Sequence, residues 1–226
     1  IRLPAARRVQ PSAGIDQVAN DPRGATTPLD YAQRNGNRLT LDWRQRVAFG
    51  EFIVGAGYRE KKQNAYFDFG GFPDYRVTDL HVWSFTPRMR ITRPLFGKEN
   101  TFVIGYDYYR WDYQLRKSIS TMAITQPINT VTATQSNKAA YLQNTIRLND
   151  RTTLAAGWRS ERFSINASDA FDPTAPGAFF GSGAPPGSQS ELVYAYELGA
   201  RFQMAPVLAL IGKPGRSYPV ANGDGT

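Results

Sequence analysis

The thirteen residues LVYAYELGARFQM at 192–204 carry an apolar side chain at every second position. Leu192, Tyr194, Tyr196, Leu198, Ala200, Phe202 and Met204 share one parity; Val193, Ala195, Glu197, Gly199, Arg201 and Gln203 share the other. A period of two sustained that far specifies a β-strand with one apolar face. Strands of globular proteins are usually about five or six residues long. At about 3.3 Å per residue this one spans roughly 40 Å, and tilted by about 45° it rises about 28 Å, close to the apolar band of about 25 Å of a membrane barrel.

The pattern recurs along the chain. Leu39, Leu41 and Trp43, then Val47 and Phe49, open the first run, with Arg38, Asp42, Arg44 and Arg46 between them. Gly50-Glu51 reads as the turn, and Phe52, Val54, Ala56 and Tyr58 return. The third run holds Trp83, Phe85, Pro87, Met89 and Ile91, where Pro87 cannot donate to a ladder and predicts a bulge or a local gap in pairing. The fourth, TFVIGYDYYRWDYQLR, changes parity: Phe102, Ile104, Tyr106 and Tyr108 give way to Tyr109, Trp111, Tyr113 and Leu115. A β-bulge near Tyr108-Tyr109 would reconcile the two halves. Further runs follow at 140–148, 154–161 and 192–204, with a last one at Leu208 and Leu210.

The connections divide by length. Breaks at 50–51, 93–100, 149–151 and 205–206 are short, whereas those at about 63–76, 117–137 and 165–190 are long and rich in Gly, Pro, Ser, Thr and Asn. Short turns at one end and long loops at the other are the signature of an outer-membrane barrel. The expectation is one all-β segment over 1–226: a long extracellular loop at 1–37, about eight antiparallel up-and-down strands at 38–218 and a loop at 219–226. The apolar parity then faces outer-membrane lipid. Arg159, Glu161, Glu197 and Arg201 face a wet lumen. A non-transport outer-membrane barrel, structural or adhesive, and a soluble β-sandwich or barrel with the apolar face inside share the same alternation.

Chemistry-bearing motifs are scarce. The single histidine, His81, stands two residues from Asp79, but one exposed histidine is a poor basis for catalysis, and no GxSxG, HExxH or phosphate-loop pattern occurs. The reading is not an enzyme, with no cofactor and no metal site. Asp169 and Asp172 are turn formers, and GSGAPPG is a flexible loop. The absence of cysteine removes disulfides and thiolate metal ligands. A net charge of +8 invites a nucleic-acid reading, but Lys and Arg are scattered singly rather than set in a stripe, so no nucleic acid is expected. The opening IRLPAARRVQ has no Met and no apolar leader core, so the chain is expected to begin inside a longer protein.

YELGARF at 196–202 resembles a late strand of the TonB-dependent outer-membrane receptors, and LALIGKPGRSYPVAN at 208–222 resembles the strand that follows it. DPRGATTPLDYAQRNGNR at 21–38, ITRPLFGKENTFVIGYDYYRWDY at 91–113 and AAYLQNTIRLNDRTTLAAGWRSERF at 139–163 resemble siderophore-type barrels in the same order. Those receptors have about 22 strands, a plug domain and a TonB box. With about eight strands, no visible plug or TonB box, and an ending NGDGT in place of an aromatic-terminated strand, the chain is expected to be an internal barrel fragment. The resemblance implies a bacterial outer-membrane location, import of a ferric siderophore or similar nutrient, and contact with the TonB complex only through a plug that this chain lacks. Aromatic and Arg groups at the mouth suit an anionic aromatic chelate by stacking and charge. Candidates are Tyr66, Phe67, Tyr75, Arg110, Trp111, Tyr113 and Arg116, with Phe69, Phe72, Phe179 and Phe180 in the neighbouring loops.

Overall fold

The computed structural model describes residues 29–217, the Phe180 side chain excepted. Strands β1 (Tyr31–Val47), β2 (Gly50–Asp68), β3 (Pro73–Thr92), β4 (Glu99–Ser118), β5 (Asn129–Arg147), β6 (Thr152–Phe171), β7 (Gly187–Ala205), β8 (Leu208–Gly212) and β9 (Gly215–Arg216) make one antiparallel sheet. Each of the first eight pairs with its sequence neighbours in the order β1 to β8. Among the described residues β1 pairs only with β2, so the sheet is open along that edge. β9 continues β8: Ala200 pairs with Gly212 and Tyr196 with Arg216 on one unbroken count, and Leu198 N–H donates to the Pro214 carbonyl at 2.9 Å. The two are one strand interrupted at Lys213-Pro214.

Register carries the sequence alternation across the whole sheet. Leu41, Ala56, Phe85, Tyr108, Lys138, Arg162 and Leu192 form one cross-strand row, and rows below it hold Trp43, Val54, Pro87, Ala140 and Tyr194, then Phe52, Met89, Ile104, Leu142, Trp158 and Tyr196. Side chains of a row lie on one face. This apolar face has nothing packed on it among the described residues: Leu39 is 70% exposed and Leu198 58%. A sandwich would cover such a face with a second sheet, and no second sheet is present among the described residues. The opposite face holds the charged and small residues of the same strands.

The tight turns at one end have local causes. Two residues, Ala48-Phe49, join Val47 to its partner Gly50, two positions earlier than the sequence suggests. A Cβ on Gly50 would meet the Arg90 main chain, so only glycine fits this close approach. Phe96 and Gly97 take positive φ (50° and 71°) between Leu95 and Lys98, the pattern of a two-residue hairpin turn. Asn149 Oδ1 accepts from Arg151 N–H at 2.9 Å in the next turn.

Several sequence expectations change. Strand β1 begins at Tyr31, inside the stretch read as loop 1–37, while residues 1–28 and 218–226 lie outside the described residues. The break read at 63–76 is only residues 69–72, where Gly70 and Gly71 both have positive φ. The long connections are residues 119–128 and 172–186. Polar stretches such as Lys61 to Asn64 carry no alternation, yet their main chains pair with Leu80 to Val77. The β4–β5 register runs without a shift from Glu99 to Lys117, so there is no bulge at Tyr108-Tyr109. Pairing with β4 is interrupted opposite Thr86 and Pro87 and resumes in the same register, so Pro87 causes a gap and not a bulge.

The two long loops fold against each other. Ile128 is fully buried, its N–H donates to the Lys117 carbonyl at 2.7 Å, and its carbonyl accepts from Asp172 N–H at 2.9 Å. Asn129 Nδ2 donates to Asp169 Oδ1 (2.8 Å) and to the Ser182 carbonyl (2.9 Å). Hydrogen bonds from Thr174 and then Gln126 hold the Asp172 carboxyl below the usual carboxylate range.

Candidate binding surface on the polar face

The centre of the polar face is an ionic group shared by β4, β5 and β6. Arg159 Nη1 donates to Asp107 Oδ2 at 2.7 Å, and its Nε donates to Glu161 Oε2 at 3.1 Å. Glu161 is only 7% exposed, and its other oxygen accepts from Asn137 Nδ2 at 2.8 Å. Gln135 Nε2 donates to Asn137 Oδ1 at 3.2 Å. Two carboxylates therefore hold one guanidinium in a partly desolvated place, where charge-assisted bonds gain strength and a missing partner is costly.

Aromatic rings flank this group. Tyr109 and Trp111 stack with centroids 5.7 Å apart and planes 24° apart. The Arg159 guanidinium lies 5.7 Å from the Tyr141 ring centroid. That ring reaches across to its cross-strand partner Gly105, where a Cβ would overlap the phenol. The glycine thus lets Tyr141 lie flat under Arg159. Tyr109, Trp111, Asn137, Arg159, Glu161, Ala195 and Ser217 line a cavity of about 420 Å³. A second cavity of about 300 Å³ lies beside it, bordered by Tyr141, Arg159, Glu197 and Arg216. The surface offers π faces and fixed hydrogen-bonding groups. Its central cation is matched by carboxylates, so it holds a planar polar ligand by stacking and hydrogen bonding more than by net charge.

Register separates the sequence candidates. Trp111, Tyr113 and Phe67 lie on the polar face, with Arg159, Glu161, Glu197 and Arg201. Tyr66, Tyr75, Arg110 and Arg116 belong to the opposite face. Arg110 is bound to Asp112 through Nη2 at 3.0 Å, Arg116 is 4.0 Å from Asp79, and Tyr75 is buried. Neighbours in sequence cannot form one cluster within a strand, because alternate residues point to opposite faces. Tyr66 stacks on Tyr31 at 6.3 Å, and Phe67 packs on Phe69 at 6.0 Å. Glu197 pairs with Lys213 at 2.9 Å, and Arg201 donates to Gln203 Oε1 at 2.7 Å. Asp107, Asn137, Tyr141 and Tyr109 join the group although the sequence reading did not select them. Their one signal was parity, since each is polar or aromatic on the side opposite the apolar run.

Asp79 and His81 do not form a dyad. His81 Nδ1 is 2.8 Å from the Tyr58 hydroxyl, while Asp79 faces Lys62 at 3.7 Å. Among the described residues no group of three His, Asp or Glu side chains could hold a metal ion.

Comparison with known proteins places this sheet. The family model described as "TonB dependent receptor-like, beta-barrel" matches residues 4–224. The chain is similar to the unliganded ferric citrate transporter FecA, with TM-score 0.71 and 14% identity over 89% of this chain and 30% of that one. It is similar to the ferric yersiniabactin uptake receptor FyuA from Yersinia pestis, with TM-score 0.56 and 15% identity over 81% of this chain and 28% of that one. The open form of the ferric-catecholate import receptor Fiu from E. coli K12 gives TM-score 0.61 and 11% identity over 87% and 38%. At such identities the likeness is one of fold, and the chain spans about a third of the length of these proteins. No curated protein matches significantly in sequence.

Proposed function

The chain belongs to the TonB-dependent receptor-like β-barrel family, and on that premise we propose that it forms wall and mouth of a bacterial outer-membrane receptor that imports a ferric siderophore or similar nutrient. The exposed apolar face then meets lipid, and the polar face lines the lumen. Energy coupling runs through TonB and a plug domain carried by other parts of such a receptor. The chain itself acts in binding and passage and not as an enzyme.

The observation that carries the binding role is the stacked Tyr109–Trp111 pair beside the Arg159, Asp107 and Glu161 group, on the face that becomes the lumen. The structural relatives name the ligands to try first: ferric citrate, ferric yersiniabactin and a ferric catecholate. Radiolabelled iron uptake by iron-starved cells expressing the full-length protein tests the proposal. Uptake of one of these chelates is expected, with Trp111→Ala weakening binding by about tenfold, the scale of one lost stacking contact. Normal surface expression with no uptake of any chelate points to a non-transport barrel.

A further inference from the structure

On the apolar face of β5, β6 and β7, register leaves two charged side chains. Lys138 and Arg162 are direct cross-strand partners, both exposed. No carboxylate shares that face of the three strands: Glu161, Asp169, Glu191 and Glu197 all have the opposite parity. Like charges set opposite each other in a sheet repel. The neighbouring part of the same face shows the ordinary solution, since Lys62 and Arg116 share Asp79, and Arg110 takes Asp112. Two adjacent cations without a carboxylate need an anion from elsewhere.

Their surroundings say which kind. Toward the tight turns the face is mostly apolar, with Ala140, Leu142, Trp158, Tyr194 and Tyr196 and, among them, the small Ser160 and the Asn144 amide as polar side chains. Toward the long loops it becomes a field of hydroxyls and amides. Ser164 and Ser190 hydroxyls are 2.9 Å apart, Thr132 and Ser168 2.7 Å, and a cavity of about 380 Å³ opens among Thr132, Thr134, Asn166, Ser168 and Ser188. Apolar surface, a cationic pair and a hydroxyl-rich surface thus follow one another in order along the same three strands.

We propose that this strip is a docking site for a phosphorylated glycolipid of the outer leaflet. The acyl chains lie on the apolar rows, a phosphate bridges Lys138 and Arg162, and the sugars rest against the hydroxyl field. The inference rests on reading the apolar face as lipid-facing. Buried charge is not involved; the cations stand at the edge of the band, where attraction to anionic headgroups acts over a short range.

The test uses the intact receptor reconstituted in phosphatidylcholine vesicles with or without lipid A, and with dephosphorylated lipid A in a third set. Bound glycolipid is counted by native mass spectrometry after extraction. The wild type is expected to retain lipid A over phosphatidylcholine, and the Lys138→Gln/Arg162→Gln double variant to lose that preference by about tenfold or more. Lys62→Gln, whose cation already has a partner, is expected to retain it. Equal retention by the double variant, equal retention of the dephosphorylated lipid, or complete displacement by millimolar inorganic phosphate would overturn the site. Failure of the protein to float with any vesicle would overturn the lipid-facing premise, and flotation without lipid A preference would overturn the site alone.

Discussion

Each long strand has two halves that obey different rules. Below the row of Tyr58, Trp83 and Arg110, the two faces differ sharply: one is nearly all apolar, the other polar. Above it both faces are mixed. Glu60, His81 and Asp112 share one row with Thr134, and Trp111, Tyr113 and Leu115 stand on the other face. The same ladder of main-chain hydrogen bonds runs through both halves. The alternation is thus imposed by the solvent that each face meets and not by the β-structure itself. Where water bathes both faces, side chains are free to serve binding. That explains the parity change in β4 without any irregularity of the backbone.

The comparison breaks first on a charge placed in each half. Leu198→Arg, in the lower half of β7, is expected to reduce the unfolding free energy of the lipid-reconstituted protein by about 2–4 kcal/mol. Asn166→Arg, on the same face in the upper half, is expected to change it by less than about 0.5 kcal/mol. Equal losses in urea titrations would remove the distinction between the halves.

A smaller effect sharpens the boundary at the polar face. Gly105→Val pushes the Tyr141 ring off its place and is expected to cost about 1–3 kcal/mol as overpacking. Because that ring supports Arg159, ligand binding should weaken as well. A variant that unfolds at wild-type urea concentration and binds normally would show that the ring is not held by the glycine.

The smallest effect concerns the loops that cap the upper half. The lowered pKa of Asp172 means that its contribution is present above the unfolded value of about 3.9 and is lost as pH falls through the folded value. Protease nicking within 172–186 is therefore expected to rise as pH drops below about 4. In Asp172→Asn the nicking rate should be flat over that range; a rate that still climbs with acid would assign the sensitivity to another group.

These halves also set what could be read in advance. The lower half was legible because lipid-type alternation is a signal in the residues themselves, as LVYAYELGARFQM shows. The upper half was not. The polar Gln63 and Asn64 are held by main-chain pairing, which leaves no trace in side-chain pattern, and so they read as loop. The β4 parity change was visible, but a bulge and a change of surroundings predict the same string. For the site, a strand's parity could separate Trp111 from Arg110. The meeting of Asp107, Asn137 and Arg159 depends on the register between three strands, which turn lengths determine and composition does not.

The meander has a consequence for how such a wall can grow or shrink. Among the described residues, every strand from β1 to β8 is bonded only to the strands before and after it in the chain, counting β9 as the continuation of β8 along β7. Removing β5 with β6 would bring β4 and β7 side by side still antiparallel, each presenting its apolar side to the same surroundings. No third element would need to move. The hairpin is therefore a module: the circumference can change by whole pairs while the grammar of each remaining seam is kept.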